Sequence, residues 1–118
     1  MSNTWWQEYY DDIDNQRLDS LGSRTAQNVV VRTAGFPAVE GLENVLNGQR
    51  EFFSTFKSLR HDFTNTWEVE DTAVLEAIVT YTRHDETSVE VPCVSILHRT
   101  DELVDSVRIY LDLAPIYA

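Results

Sequence analysis

Residues Thr72–Thr80 read TAVLEAIVT, an apolar run whose one charged member is Glu76. The run is rich in Val and Ile and lies between turn-like Glu70-Asp71 and the polar stretch Tyr81–Asp85, which predicts a strand with both faces covered. A carboxylate at the centre of such a strand must be desolvated, paired or lining a cavity, because burying an unpartnered charge is prohibitive. Desolvation raises a carboxyl pKa, and that is one way to prepare an acid or base near neutrality. A Glu on an outer face, salt-bridged to a neighbouring strand, is the alternative.

Outward from this strand, the C-terminal half reads as strand throughout. His61 to Val69 alternates, with His61, Phe63, Asn65 and Trp67 on one face. Thr72–Arg83, Ser88–Arg99 and Leu103–Asp112 follow, joined by hairpin-sized links at Glu70-Asp71, Asp85–Thr87 and Thr100–Glu102. The N-terminal half opens on Trp6, Tyr9, Tyr10 and Ile13 at helical spacing, predicting an amphipathic helix over Asn3–Arg17 capped by Asn3 or Thr4. Leu18–Leu21 predicts a short turn of helix ended by Gly22, and Gln27–Arg32 a strand. Leu42, Val45, Leu46, Phe52, Phe53 and Phe56 mark a long helix from Gly41 to about Ser58. Helices first and a meander after is an α+β layout, α-α-β-α-β-β-β-β. A sheet of about five strands with helices on one side curls into a cone, and a cone has an interior.

The 118 residues have room for a single domain spanning 1–118 with one core. A formal charge of −11 leaves no basic patch for phosphates, so nucleic acid is excluded as a partner, as are anionic membrane surfaces. Among the nine basic residues only Lys57 is a lysine, a skew that fits a salt-rich habitat or a GC-rich genome alike. With neither an apolar run long enough to span a bilayer nor a targeting segment, the expected compartment is the cytoplasm. The lone Cys93 excludes an internal disulfide and a cysteine-based zinc site, and His61, His84 and His98 lack ligand spacing, so no metal is expected.

This order of elements resembles the nuclear transport factor 2-like superfamily, which includes ketosteroid isomerases, SnoaL-like polyketide cyclases and limonene-epoxide hydrolases. The residues carrying the resemblance are YYDDIDNQRLDSL, FPAVEGLENVL, WEVEDTAVLEAIVTYTRHD and VDSVRIYLDLAP. The resemblance implies a cone-shaped, antiparallel-rich sheet packed against N-terminal helices. It places Tyr9 where ketosteroid isomerases keep the tyrosine that donates to the oxyanion, Arg32 where they have their aspartate base, and Ser95 where they keep a protonated aspartic acid. It also places Glu76, Ile78 and Ile109 at the arginine and two aspartates of the epoxide hydrolases, so both known triads are broken here. The same alignments turn Val74, Glu76, Ile78, Thr80, Thr82 and His84 inward on one strand, Val91, Cys93, Ser95 and Leu97 on the next, and Val107, Ile109 and Leu111 on the last.

The resemblance further implies a small enzyme needing no cofactor, acting on a hydrophobic oxygenated molecule as isomerase, cyclase, dehydratase or epoxide hydrolase. Glu76, Tyr9 and His61 are its candidate catalytic residues, and Arg32, Trp67, Ile78, Thr80, Ser95 and Ile109 its candidate ligand contacts. His61 is the best side chain here for proton transfer near neutral pH, or else a hydrogen-bonded core histidine. Asp112, tempting as a carboxylate base, alternates with Arg108 and Tyr110 on the outer face. A non-catalytic ligand-binding or dimerisation module of the same fold is the rival reading. With Leu75, Ala77, Val79, Val94 and Ile96 on the outer sheet face, a homodimer is expected.

Overall fold

The computed structural model describes residues 5–118, so the expected cap at Asn3 or Thr4 lies outside the described residues. The elements run α1 (Trp5–Asp14), α2 (Leu18–Ser23), β1 (Thr25–Thr33), β2 (Val39–Glu40), α3 (Leu42–Phe53), β3 (Ser58–Val69), β4 (Thr72–Thr82), β5 (Ser88–Thr100) and β6 (Leu103–Leu111), closed by a 3-10 turn at Ala114–Tyr117. The strands form one sheet in the order β2-β1-β6-β5-β4-β3. Every pairing is antiparallel except β1 with β6, which is parallel. The helices pack on a mixed, curled, open sheet, the α+β cone expected from the order of elements.

Two elements are shorter than their patterns predict. Helix α1 stops at Asp14, and α3 stops at Phe53, where the Ser54 and Thr55 hydroxyls bond back to the carbonyls of Glu51 and Phe52. Such side-chain bonds compete with continued helix. The two-residue strand β2 is too short to carry a periodicity and was not legible. The turn Asp101-Glu102 has φ of 51° and 70°, the left-handed pair of a type I′ hairpin.

The core lies between the helices and the concave face. Trp6, Tyr9, Tyr10 and Ile13 come down from α1, and Val45 and Phe53 from α3. They meet Ala73, Leu75, Val79 and Tyr81 of β4, Val91, Cys93, Ser95 and Leu97 of β5, and Val107 of β6. Strand β4 therefore has the opposite phase to the one expected. Leu75 and Val79 are fully buried and Ala77 nearly so, while Glu76, Ile78 and Thr80 stand on the convex face. The odd-numbered set from Ala73 to Tyr81 contains no charged residue, whereas the even-numbered set from Thr72 to Thr82 holds three threonines and Glu76. Burial favours the first set because it desolvates no carboxylate.

A bulge in β3 produces a second change of face. Phe63 pairs with Ala77 and Asn65 with Glu76, so two steps on β3 match one on β4. An extra residue inverts every side chain beyond it. Leu59, His61 and Phe63 face the helices, but Asn65 and Trp67 point outward, and Trp67 is 53% exposed. Past the bulge it is Glu68 that reaches α1, accepting a 2.9 Å bond from the Trp6 indole.

Candidate functional site

The curl of the sheet encloses a cavity of about 300 Å³ under the helices. Its walls are mainly apolar: Ile13 from α1, Val31 from β1, Val45 and Phe52 from α3, Leu59 from β3, and Val107, Ile109 and Leu111 from β6. Phe36, Pro37 and Val39, in and beside the β1–β2 connection, line it as well, although Phe36 is largely exposed. The polar groups reaching the cavity are Tyr9, Tyr10, His61, Tyr81, Cys93 and Ser95, with Thr33 and Gln49.

Among these, His61 has the most developed setting. Its Nδ1 lies 2.6 Å from Asp14 Oδ1, and its backbone N–H donates to Asp14 Oδ2 at 2.9 Å. Both side chains are largely enclosed, with exposures of 7% for His61 and 18% for Asp14. A carboxylate only accepts, so Nδ1 is the donor of this bond and Nε2 is the ring nitrogen left without a bond to Asp14. The ring is wedged between Tyr10, at 4.5 Å between centroids, and Phe63, nearly parallel at 5.8 Å. Asp14 and Tyr10 are four residues apart in α1, so one helix face presents both to β3.

Tyr10 is buried, and among the described residues its hydroxyl finds no partner of good hydrogen-bonding geometry. Burial pushes its phenol well above the ordinary range; Tyr9 adds to the shift, and the nearby Ser95 hydroxyl opposes it. Burial likewise raises Tyr9 and Tyr81. These phenols thus stay protonated near neutral pH. Burial also raises the Cys93 thiol, whose sulfur lies 3.8 Å from the Ser95 hydroxyl.

A second carboxylate shapes the site from behind. Asp12 is buried and takes bonds from Arg17 at 3.1 Å, Ser20 at 2.8 Å and Arg24 at 2.8 Å. Burial works against its ionisation, but these donors prevail and hold its carboxyl below the usual range. The cluster ties α1 to α2 and to the entry of β1, and so sets the helix that carries Tyr10 and Asp14.

Of the residues singled out from the sequence, Tyr9, His61, Ser95 and Ile109 line the cavity. Glu76 does not. It lies on the convex face and accepts a 2.8 Å bond from Asn65, the outward neighbour that the bulge supplies. Ile78 and Thr80 share that face, Trp67 is exposed there, and Arg32 is exposed beside Arg108. Thr82 and His84 are turned from the cavity too, the His84 imidazole meeting the Ser54 carbonyl at 3.0 Å. Sequence reasoning missed Asp14, Tyr10 and Tyr81. The i, i+4 spacing of Tyr10 and Asp14 was a usable signal for the first two.

Residues 6–107 match the SnoaL-like domain family, and the chain belongs to it. No curated protein matches the sequence. Among solved structures, a protein of ketosteroid isomerase-like fold from Catenulispora acidiphila DSM 44928, in complex with trimethylamine, aligns with a TM-score of 0.84 at 16% identity, over 97% of this chain and 89% of that one. A protein provisionally named a SnoaL-like polyketide cyclase, from Shewanella denitrificans OS-217, gives 0.87 at 8% identity, over 97% and 92%. An epoxide hydrolase from M. tuberculosis, like the limonene-epoxide hydrolases, gives 0.81 at 12% identity, over 96% and 84%. At such identities the likeness is one of fold.

Proposed function

We propose that this SnoaL-like domain is a small acid/base enzyme acting on a hydrophobic oxygenated molecule held in the cone. The observation that carries the reading is the His61–Asp14 pair, largely enclosed at the wall of an apolar cavity. Asp14 holds the imidazole by Nδ1 and stabilises the imidazolium formed when Nε2 takes a proton. The Tyr10 hydroxyl, otherwise unmatched, donates to the substrate oxygen on which negative charge develops, and Ser95 stands beside it. Return of the proton to another atom gives isomerisation, and loss of a β-hydroxyl gives dehydration; cyclisation and ring opening use the same groups. Glu76 has no part in this scheme. The test is turnover of a panel of enolisable ketones, β-hydroxy ketones and epoxides by the protein and by His61→Gln. Turnover lost in the variant supports the reading, and turnover unaffected removes His61 from it.

A second reading, a non-catalytic binding module, is favoured by one observation: among the described residues no carboxylate lines the cavity directly, and Asp14 acts only through His61. Tight binding of panel members without turnover would establish it. We also propose a homodimer through the convex face, where Trp67, Val74 and Ile96 form one row and Tyr110 and Val94 the start of the next. Leu75, Ala77 and Val79, expected in that surface, belong to the core. Light scattering at micromolar concentration reads the mass.

A further inference from the structure

We infer that the cavity takes a two-ended, uncharged molecule whose apolar tail lies across Gly48 and against Phe36, and that these two residues set how bulky the tail can be. The inference rests on the reading of the cavity as a small-molecule site and names the shape of what enters it. Exposure is graded along the cavity wall. Tyr9, Tyr10 and Ser95 are buried, whereas Phe36 is 59% exposed and Pro37, Val39 and Gly48 are open to solvent. The closed end therefore lies among the phenols, and the mouth lies where the β1–β2 connection and α3 border the cavity. Among the described residues, no lysine, arginine, aspartate or glutamate stands in the walls, so a charged group seated there would lose water without gaining a partner.

Gly48 sits inside the helix α3, where glycine is less favourable than alanine. Its backbone lacks the positive φ of Gly35 and Gly41, and an added Cβ would meet no atom within 4 Å. Neither conformation nor packing calls for glycine at this position. Val45, Gly48, Gln49 and Phe52 lie on the face of α3 that lines the cavity, so a longer side chain at 48 would project into the mouth. Phe36 is placed by a fastened turn. Its amide donates to the Thr33 carbonyl at 3.0 Å, Gly35 supplies a φ of 85°, and the Ala34 amide donates to the Ile109 carbonyl of β6 at 2.8 Å. A phenyl ring held in water at the rim of an apolar cavity gains when a ligand tail covers it. The cavity, about 300 Å³, is at the lower end of the ~300–1,000 Å³ usual for small-molecule pockets, so a molecule seated against the phenols extends to the mouth.

Calorimetric titration at neutral pH with two neutral ketones of the same head, acetophenone and para-butylacetophenone, tests this. The unaltered protein should bind the butyl compound at least tenfold more tightly. Gly48→Leu, which fills the mouth, should cut that advantage to under threefold, whereas Gly48→Ala should keep it and melt at a higher temperature. Phe36→Ala should weaken the butyl compound at least threefold more than acetophenone, and circular dichroism checks that all three variants are folded. An unchanged advantage in Gly48→Leu, or none in the unaltered protein, overturns the tail subsite while leaving a small-molecule site. A mass halved by Phe36→Ala in light scattering, with binding unchanged, assigns the exposed ring to a second copy of the chain and overturns the inference as well. Binding of neither ketone overturns both this inference and the pocket reading beneath it.

Discussion

Two histidine–aspartate pairs occur among the described residues, and their chemistry differs only in setting. His61 and Asp14 meet at 2.6 Å across the α1–β3 contact, both largely enclosed. His98 and Asp105 meet at 2.8 Å near the β5–β6 hairpin, with exposures of 45% and 24%. In the first, aromatic rings close on an imidazole that lines a cavity. In the second, Thr100 donates to the other carboxylate oxygen at 2.7 Å and solvent reaches both groups. A proton moved by the first pair can be delivered to a bound molecule sheltered from water. The second lies outside the cavity and pins a hairpin. The pairing of residue types thus says little until burial is known.

The largest expected effect separates the imidazoles. Once a substrate is in hand, His61→Gln should lower kcat by about a hundredfold or more, the usual weight of a positioned acid or base, while His98→Gln should stay within about twofold. Steady-state kinetics on both variants measures this, and equal effects would dissolve the contrast. Next come the carboxylates. Asp14→Asn can no longer accept from Nδ1–H and the His61 backbone N–H with a full negative charge, so kcat should fall about tenfold or more and the acid limb of the pH–rate profile should move. Asp105→Asn should leave that profile in place.

Acid stability gives a smaller, opposite-handed contrast. Burial works against ionisation of Asp105, but hydrogen bonds from His98 and Thr100 outweigh it, and its carboxyl sits below the usual range. A carboxyl depressed on folding stabilises the native state above its unfolded pKa of about 4 and loses that contribution as pH falls through the lower, folded value. Melting temperature measured from pH 6 down to pH 3 should therefore fall less steeply in Asp105→Asn than in the unaltered protein. Smallest of all is Glu76→Gln. An outward carboxylate bonded to the Asn65 amide should change stability by no more than about 0.5 kcal/mol and turnover not at all. A large loss of activity there would restore the inward phase of β4.

Much of the architecture could be read locally. The 3.6-residue spacing of Trp6, Tyr9, Tyr10 and Ile13, the hairpin-sized links and the alternating strands lead to helices over a curled meander, and the family resemblance points to the same cone. His61, Tyr9, Ser95 and Ile109 were legible as neighbours of the cavity. Asp14, the partner of His61, was less so, because 47 residues separate the two in sequence and only the packing of α1 on β3 joins them. Arg32, Trp67, Ile78, Thr80 and Glu76 were assigned to the wrong face for a related reason. A period of two states which residues lie together, but not which set faces in, and one bulged residue at the middle of β3 reverses the answer for everything beyond it.

By itself the sequence determined the order of elements, the acidic surface and the stock of rings and titratable groups. Those properties are set by local periodicity and composition, which neighbours along the chain suffice to define. Only the tertiary structure decided that Glu76 faces outward and that Asp14 and His61 meet at a wall of the cavity. Which side of a strand is buried, and which carboxylate meets which imidazole, depends on the helices that cover it. The core took the uncharged set of β4 and left Glu76 to solvent, because a carboxylate is cheaper to leave in water than to bury without a partner.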